Sequence, residues 1–240
     1  MRNDVLEAIR AHVAAEYPRE ACGVLVRCGR REKYLPCRNL AATPEQEFIL
    51  APEDYAAAED EGVITGIVHS HPDATARASE ADQAYCNAGT LPWYILSWPE
   101  GDLNVITPRQ VPLENRPFVH GVQDCYTLVR DWYWQERGIA LPDFPRVDGW
   151  WERGEDLYLR QYRAAGFAPA LGDPQPGDVL LMQVMSAQVN HAAIYLGDGQ
   201  MLHHLYGRPS CRTPYGGYWL ERTVLRVRYQ EANAPKAVLA

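Results

Sequence analysis

The run Val63-Ile64-Thr65-Gly66-Ile67-Val68 leads into His69-Ser70-His71 and is stopped by Pro72. Apolar and β-branched residues at this density predict a strand. Side chains two apart on a strand share a face, so both imidazoles are presented side by side on a rigid support. Residues 79–87 follow with helical spacing and Ser79 as N-cap, which brings Asp82 in from the first turn. Two neutral imidazoles and one carboxylate suit zinc better than a hard cation. Three protein ligands leave a fourth position for water, the layout of a catalytic rather than a structural centre.

The rest of the first half fits around this feature. A helix is predicted over about residues 4–16, from the spacing of Val5, Leu6, Ile9 and Val13. Strands are predicted over 21–27, 33–39, 93–98 and 103–106, with a short acidic helix opening at Pro52-Glu53-Asp54. Glu20, just before the 21–27 strand, is the candidate base of the metal site. Ser79 is the candidate hydrogen-bond donor to the oxyanion formed on an attacked carbonyl. Each has a plainer reading: Ser79 and Asp82 also make a helix-capping pair, and Glu20 also reads as a solvated surface charge. The joint spacing favours the metal site.

The stretch from Thr107 to Gly121 holds Pro108, Pro112 and Pro117 and loses apolar periodicity. This predicts two domains, 1–107 and 121–231, with a linker over 108–120. The second half restarts with a helix from Cys125 to Gly138. A helix over 151–165 follows, then strands over 179–184, 191–196, 201–206, 218–221 and 223–229. Helices followed by antiparallel strands give an α+β class. Residues from Ala232 onward are expected to fray. Cys125 opens a helix, where anions are favoured, and is the candidate thiolate nucleophile. His191 and His203 flank the turn Gly197-Asp198-Gly199; His191 would be the base and His203 its orienter, with the Cys125 backbone N–H in the oxyanion hole. The plainer reading makes Cys125 a buried helix residue and the histidines ordinary sheet positions. The pair His203-His204 is ambiguous alone, because strand neighbours face opposite sides. Trp132, Tyr133, Trp134, Trp150 and Trp151 read as core or groove packing, with a partner surface or a sugar-bearing substrate as the alternative.

Composition excludes several classes. A formal charge of -8 argues against a nucleic-acid partner. No run of about 18 apolar residues is present, so no membrane span is expected. The N-terminal segment lacks the continuous apolar core of a signal peptide. Six cysteines occur without a C-x-x-C pair, so neither a Cys-rich zinc module nor disulfides are expected.

The pattern Glu20 … His69-x-His71-x7-Ser79-x2-Asp82, together with Pro18-Arg19-Glu20-Ala21-Cys22-Gly23-Val24-Leu25, resembles the bacterial branch of the JAMM (JAB/MPN) metalloprotease family over about residues 1–107. The resemblance implies a mixed sheet with flanking helices, Zn2+ held by His69, His71 and Asp82, Glu20 as general base, Ser79 as oxyanion partner, and peptidase or isopeptidase activity. Asp124-Cys125, Pro176-Gly177-Asp178-Val179-Leu180 and the run from His191 to Gly199 with His203 resemble the NlpC/P60 family of cell-wall peptidases over about residues 117–230. The spacing of twelve from His191 selects His203 over His204. This implies a papain-like domain, helix first and antiparallel sheet after, hydrolysing the peptide stems of peptidoglycan through Cys125, His191 and His203. Many members read Asp-Cys-Ser-Gly where this chain has Asp124-Cys125-Tyr126-Thr127, which keeps the triad and leaves the scissile bond open. The two domains in this order resemble the tail assembly protein K family of long-tailed bacteriophages. That implies peptidoglycan stem peptides and other phage tail tip proteins as partners. It implies residence in the host cytoplasm during assembly, or at the virion tail tip or in the periplasm. The alternative is an assembly or scaffolding factor whose hydrolase sites are dispensable.

Overall fold

The structure, a computed structural model, describes residues 1–231; the segment expected to fray from Ala232 lies outside the described residues. The chain divides between Gln110 and Val111 into two compact units.

The N-terminal unit runs α1 (Asn3–Glu16), β1 (Cys22–Cys28), β2 (Arg31–Cys37), α2 (Pro52–Glu61), β3 (Val63–Pro72), α3 (Glu80–Ala88), β4 (Trp93–Trp98) and β5 (Leu103–Ile106). Its strands form a mixed sheet in the order β2-β1-β3-β4-β5. Only β3 and β4 run parallel, and α3 makes the crossover that a parallel pair requires. Alternation along β1 gives each face its own core. Ala21 and Leu25 meet Val5, Ile9 and Val13 of α1. Cys22, Val24 and Val26 turn the other way and pack with Ala58 of α2 and Ile67 of β3. The sheet therefore lies between α1 and α2. Gly23 is required by close packing, since a β-carbon there would lie 2.6 Å from the Tyr34 ring and 2.4 Å from the Leu35 carbonyl oxygen. Ile67, His69 and His71 share one face of β3, so both imidazoles emerge on the α2 side of the sheet.

The C-terminal unit contains α4 (Cys125–Arg137), α5 (Leu157–Gln161), β6 (Phe167–Pro169), β7 (Val179–Met182), β8 (His191–Gly197), β9 (Gln200–His203), β10 (Cys211–Pro214), α6 (Tyr218–Arg222) and β11 (Thr223–Tyr229). Six strands in the order β10-β9-β8-β7-β11-β6 pair antiparallel throughout. Leu128, Val129, Trp132 and Tyr133 of α4 pack on Val179, Leu181, Ala192 and Ile194. Leu180, Met182, Ala193 and Met201 form the cluster on the opposite face with Tyr215 and Trp219. Gly138 stops α4 in the left-handed region at φ 65°. Residues 111–120 pack within this unit: the buried Arg116 donates from its backbone N–H to Ser210 Oγ at 3.0 Å and pairs with Asp131. Among the aromatic cluster, Trp132, Tyr133 and Trp150 are buried and Trp134 is exposed.

Two of the expected elements change type or length. The helix predicted over 151–165 shrinks to α5, because Gly154 takes φ 77° and residues 149–154 form turns. Residues 218–221 form the short helix α6 rather than a strand; one helical turn seats Trp219 in the cluster with Tyr215 while Leu220 stays exposed. The edge strands β6 and β10 have no counterpart among the expected strands; both are short and each ends in proline, which an edge tolerates.

Ile9 is fully buried between α1 and the sheet. Ile9→Ala should cost about 2–5 kcal/mol, measured by denaturant unfolding. A loss below about 1 kcal/mol would mean that α1 is not packed as described.

Candidate active sites

The two histidines of β3 and the first turn of α3 meet at one point. His69 Nε2 lies 3.1 Å from His71 Nε2. Asp82 Oδ1 lies 3.2 Å from His69 Nε2, and its Oδ2 lies 3.3 Å from His71 Nε2. The separations of His69 Nε2 from His71 Nε2 and from Asp82 Oδ1 match the edge of a tetrahedron, about 3.3 Å, around an ion bound at about 2.0 Å, while the other carboxylate oxygen faces His71. His71 Nδ1 sits 2.9 Å from the Thr75 carbonyl oxygen, which takes its N–H and leaves the Nε2 lone pair aimed inward. Phe48 stacks on His69 with centroids 4.6 Å apart, and Trp93 meets the same ring edge-on at 5.5 Å. Converging lone pairs on two imidazoles beside a carboxylate fit a metal ion better than they fit one another. These three residues form a cluster that could hold one.

The capping pair read from the sequence is also present. Ser79 Oγ and Ser79 N donate to Asp82 Oδ2 at 2.8 and 2.7 Å, and Asp82 N donates back to Ser79 Oγ at 3.0 Å. The box and the ligand geometry coexist: the box locks the carboxylate that faces the imidazoles. Burial alone would raise the Asp82 carboxyl, but the hydrogen bonds from His69 and His71 outweigh it and hold it well below the usual range. Glu20 is buried rather than solvated. Burial pushes it up to about 7; His71 opposes this while Asp82 and Glu47 add to it.

In the C-terminal unit Cys125 is the first residue of α4, after the N-cap Asp124. One Asp124 oxygen accepts from Tyr126 N at 3.0 Å and Thr127 N at 2.9 Å; the other accepts from Gly121 N at 3.0 Å and Arg146 Nε at 2.7 Å. Arg146 is buried as well and also donates to Asp143, Phe144 O and Gly121 O. His191 opens β8 and His203 closes β9 on the neighbouring strand. His191 Nε2 lies 3.2 Å from His203 Nδ1. Trp219 covers His203 edge-on at 4.7 Å. His204 is buried against Phe118, 5.1 Å between centroids, so His203 is the partner of His191.

Cys125 and His191 line one cavity of about 890 Å³ with Trp150, Trp151, Tyr206 and Trp219. The Cys125 Sγ hydrogen bond goes to the Tyr158 hydroxyl at 3.1 Å, not to His191. Tyr158, carried by α5 into the core, was not singled out in the sequence; nothing sets it apart among 14 tyrosines.

The thiol is not the thiolate that a helix N-terminus predicts. Burial and the charge of Asp124 push it up to about 11, against the pull of the Tyr158 hydroxyl and the Ala192 N–H. Asp124 answers the helix dipole that would have served the sulfur. Burial, with the charges of His203 and His204, lowers His191 to about 3. Burial, then His204, lowers His203 to about 4. The resting pair is a neutral thiol and a neutral imidazole.

The two units define a protein built from a JAB-type domain followed by an NlpC/P60-type domain. Residues 2–109 match the family model of prokaryotic homologs of the JAB domain, and residues 115–228 match that of the NlpC/P60 family. The chain is 52% identical over 241 residues to the tail tip assembly protein K of Escherichia phage N15, covering 99% of each chain. It is 45% identical over 176 residues to the tail tip assembly protein K of Escherichia phage lambda, covering 72% of this chain and 86% of that one. A Mycobacterium tuberculosis protein named "Probable endopeptidase" is 29% identical over 189 residues, 71% of this chain and 44% of its own length. The chain belongs to the tail tip assembly protein K family. No helix among the described residues is long and apolar enough to cross a membrane.

His191 and His203 resist protonation in the folded state, whereas unfolded histidines protonate below about 6.5. Their contribution to stability is therefore full above pH 6.5 and is lost progressively as the pH falls toward 3. Urea midpoints should drop between pH 7 and 4.5, and His203→Asn should flatten that dependence. An unchanged slope in the variant would contradict the neutral buried pair.

Proposed function

We propose that the chain is a phage tail tip assembly protein with two peptidase centres. One hydrolyses the peptide stems of peptidoglycan through Cys125, His191 and His203. The other hydrolyses a peptide or isopeptide bond through a zinc site formed by His69, His71 and Asp82. The observation that carries the reading is that Cys125, at the capped start of α4, and His191, hydrogen-bonded to His203, line one cavity.

In the cysteine centre, His191 Nε2 is turned to His203, which leaves Nδ1 for the thiol. As Sγ attacks the carbonyl carbon, its proton passes to His191, and His203 stabilises the imidazolium. The Asp124 carboxylate takes the amides of Tyr126 and Thr127 rather than that of Cys125, so the Cys125 N–H is the candidate donor to the oxyanion. His191 then protonates the leaving amine, and the acyl group stays on sulfur as a thioester. Water, deprotonated by His191, cleaves the thioester, releasing the carboxylate and restoring the thiol.

In the N-terminal centre His69, His71 and Asp82 would hold the ion. A zinc ion bound there would supply Lewis acidity and a water acidified to near neutrality. Glu20, raised to about 7, is suited to take a proton and return it to a leaving nitrogen. The Ser79 hydroxyl is committed to the capping box, so its service to an oxyanion requires that bond to Asp82 to loosen.

The reading in which the chain serves tail assembly with dispensable hydrolase sites is favoured by that commitment and by the neutral thiol. In this reading the chain acts in the host cytoplasm, with other tail tip proteins as partners.

Wild-type protein should bind about one zinc per chain by isothermal titration, and Asp82→Ala should abolish it. Equal binding by the variant would remove these ligands from the site. Cys125→Ala should retain zinc and lose cleavage of purified muropeptides, read by mass spectrometry, by at least about a hundredfold. Residual cleavage at the wild-type rate, or a wild type inert toward muropeptides, would overturn the cysteine centre.

A further inference from the structure

The strand β10 lies at the edge of the C-terminal sheet. Its side chains alternate, so Cys211 and Thr213 share a face while Arg212 turns away to pair with Glu114. Thr213 Oγ1 lies 3.1 Å from His203 Nε2, and Cys211 Sγ lies 3.6 Å from Thr213 Oγ1. With the His203 Nδ1 to His191 Nε2 contact at 3.2 Å, these atoms form one continuous chain of hydrogen bonds.

A neutral imidazole carries one N–H, so this chain runs in one of two senses. In the first, His203 Nε2–H donates to Thr213 Oγ1. His203 Nδ1 then accepts from His191 Nε2–H, and His191 Nδ1 is left bare. In the second, Thr213 donates to His203 Nε2. His203 Nδ1–H then donates to His191 Nε2, and the single His191 proton is forced onto Nδ1, where it blocks transfer from a thiol. The two senses differ by the rotation of the Thr213 hydroxyl and by the tautomer of both imidazoles. Either atom of the Cys211–Thr213 contact can donate; in the first sense the Cys211 sulfur accepts the Thr213 hydroxyl hydrogen and the Oγ1 lone pairs face His203. Trp219, edge-on to His203 at 4.7 Å, shields the ring that Thr213 addresses.

We propose that Thr213 is a positioning residue that fixes His203 and, through it, His191 in the Nε2–H form, keeping His191 Nδ1 free to receive the Cys125 proton. The tautomer assignment stands on the hydrogen-bond chain alone; its consequence for hydrolysis rests on the cysteine-peptidase reading.

The test uses the full chain labelled with 15N-histidine, as wild type, Thr213→Val and Thr213→Ser. Long-range proton–nitrogen spectra at pH 7 should show His191 and His203 of the wild type both protonated on Nε2. Thr213→Val should give His203 as a tautomer mixture. It should also slow muropeptide cleavage, and alkylation of Cys125 by iodoacetamide read by peptide mass spectrometry, by at least about tenfold. Thr213→Ser should restore both the tautomers and the rates. A wild-type His203 protonated on Nδ1 overturns the proposal without any variant. So does Thr213→Val with wild-type tautomers and rates. A wild type with both rings in the Nε2–H form but inert toward muropeptides supports the tautomer lock and counts against the hydrolase reading.

Discussion

The buried pair of Asp124 and Arg146 settles where the sulfur of Cys125 stands. Asp124 holds the second and third amides of α4, those of Tyr126 and Thr127, and Arg146 holds Asp124 from the loop before α5. Both groups are nearly inaccessible to water, so neither can leave without stranding the other charge. The cost falls on the thiol. A carboxylate at the cap repels a thiolate and consumes the dipole that would stabilise it. Burial is the larger cause, the charge of Asp124 adds to it, and the thiol rests neutral. Asp82 plays a related part in the other unit. It too is bound by a backbone amide at a helix start, that of Ser79, and the same carboxylate faces His69 and His71.

The two centres differ in how burial is used. In the N-terminal unit, burial raises Glu20 into the range where a carboxyl both takes and gives a proton near neutrality. In the C-terminal unit, burial lowers the histidines and raises the thiol, so both partners are kept uncharged.

Much of the fold was legible because it rests on short-range rules. The Pro52 opening of α2, the Ser79 cap and the alternation of β1 each follow from local chemistry. The α+β class and the placement of His69, His71 and Asp82 follow from strand period and helix start. What was missed lies where tertiary packing overrides local preference. The residues of α6 are bulky and aromatic and read as a strand, yet they coil so that Trp219 can reach His203. Tyr158 and Thr213 gave no signal, because a hydroxyl gains its significance only from a neighbour 33 or 10 residues away in the chain. The depressed acidity of Cys125 was likewise hidden. Asp124 is visible in sequence beside the cysteine, but the burial that amplifies its charge is not.

Both imidazoles ride on a single hairpin, β8 and β9, whereas the sulfur rides on a helix. The packing of Leu128 and Val129 against Ala192 and Ile194 therefore fixes where the sulfur stands relative to the rings. The ring-to-ring contact lies within one hairpin, whereas the sulfur and the imidazoles sit on two elements joined by packing.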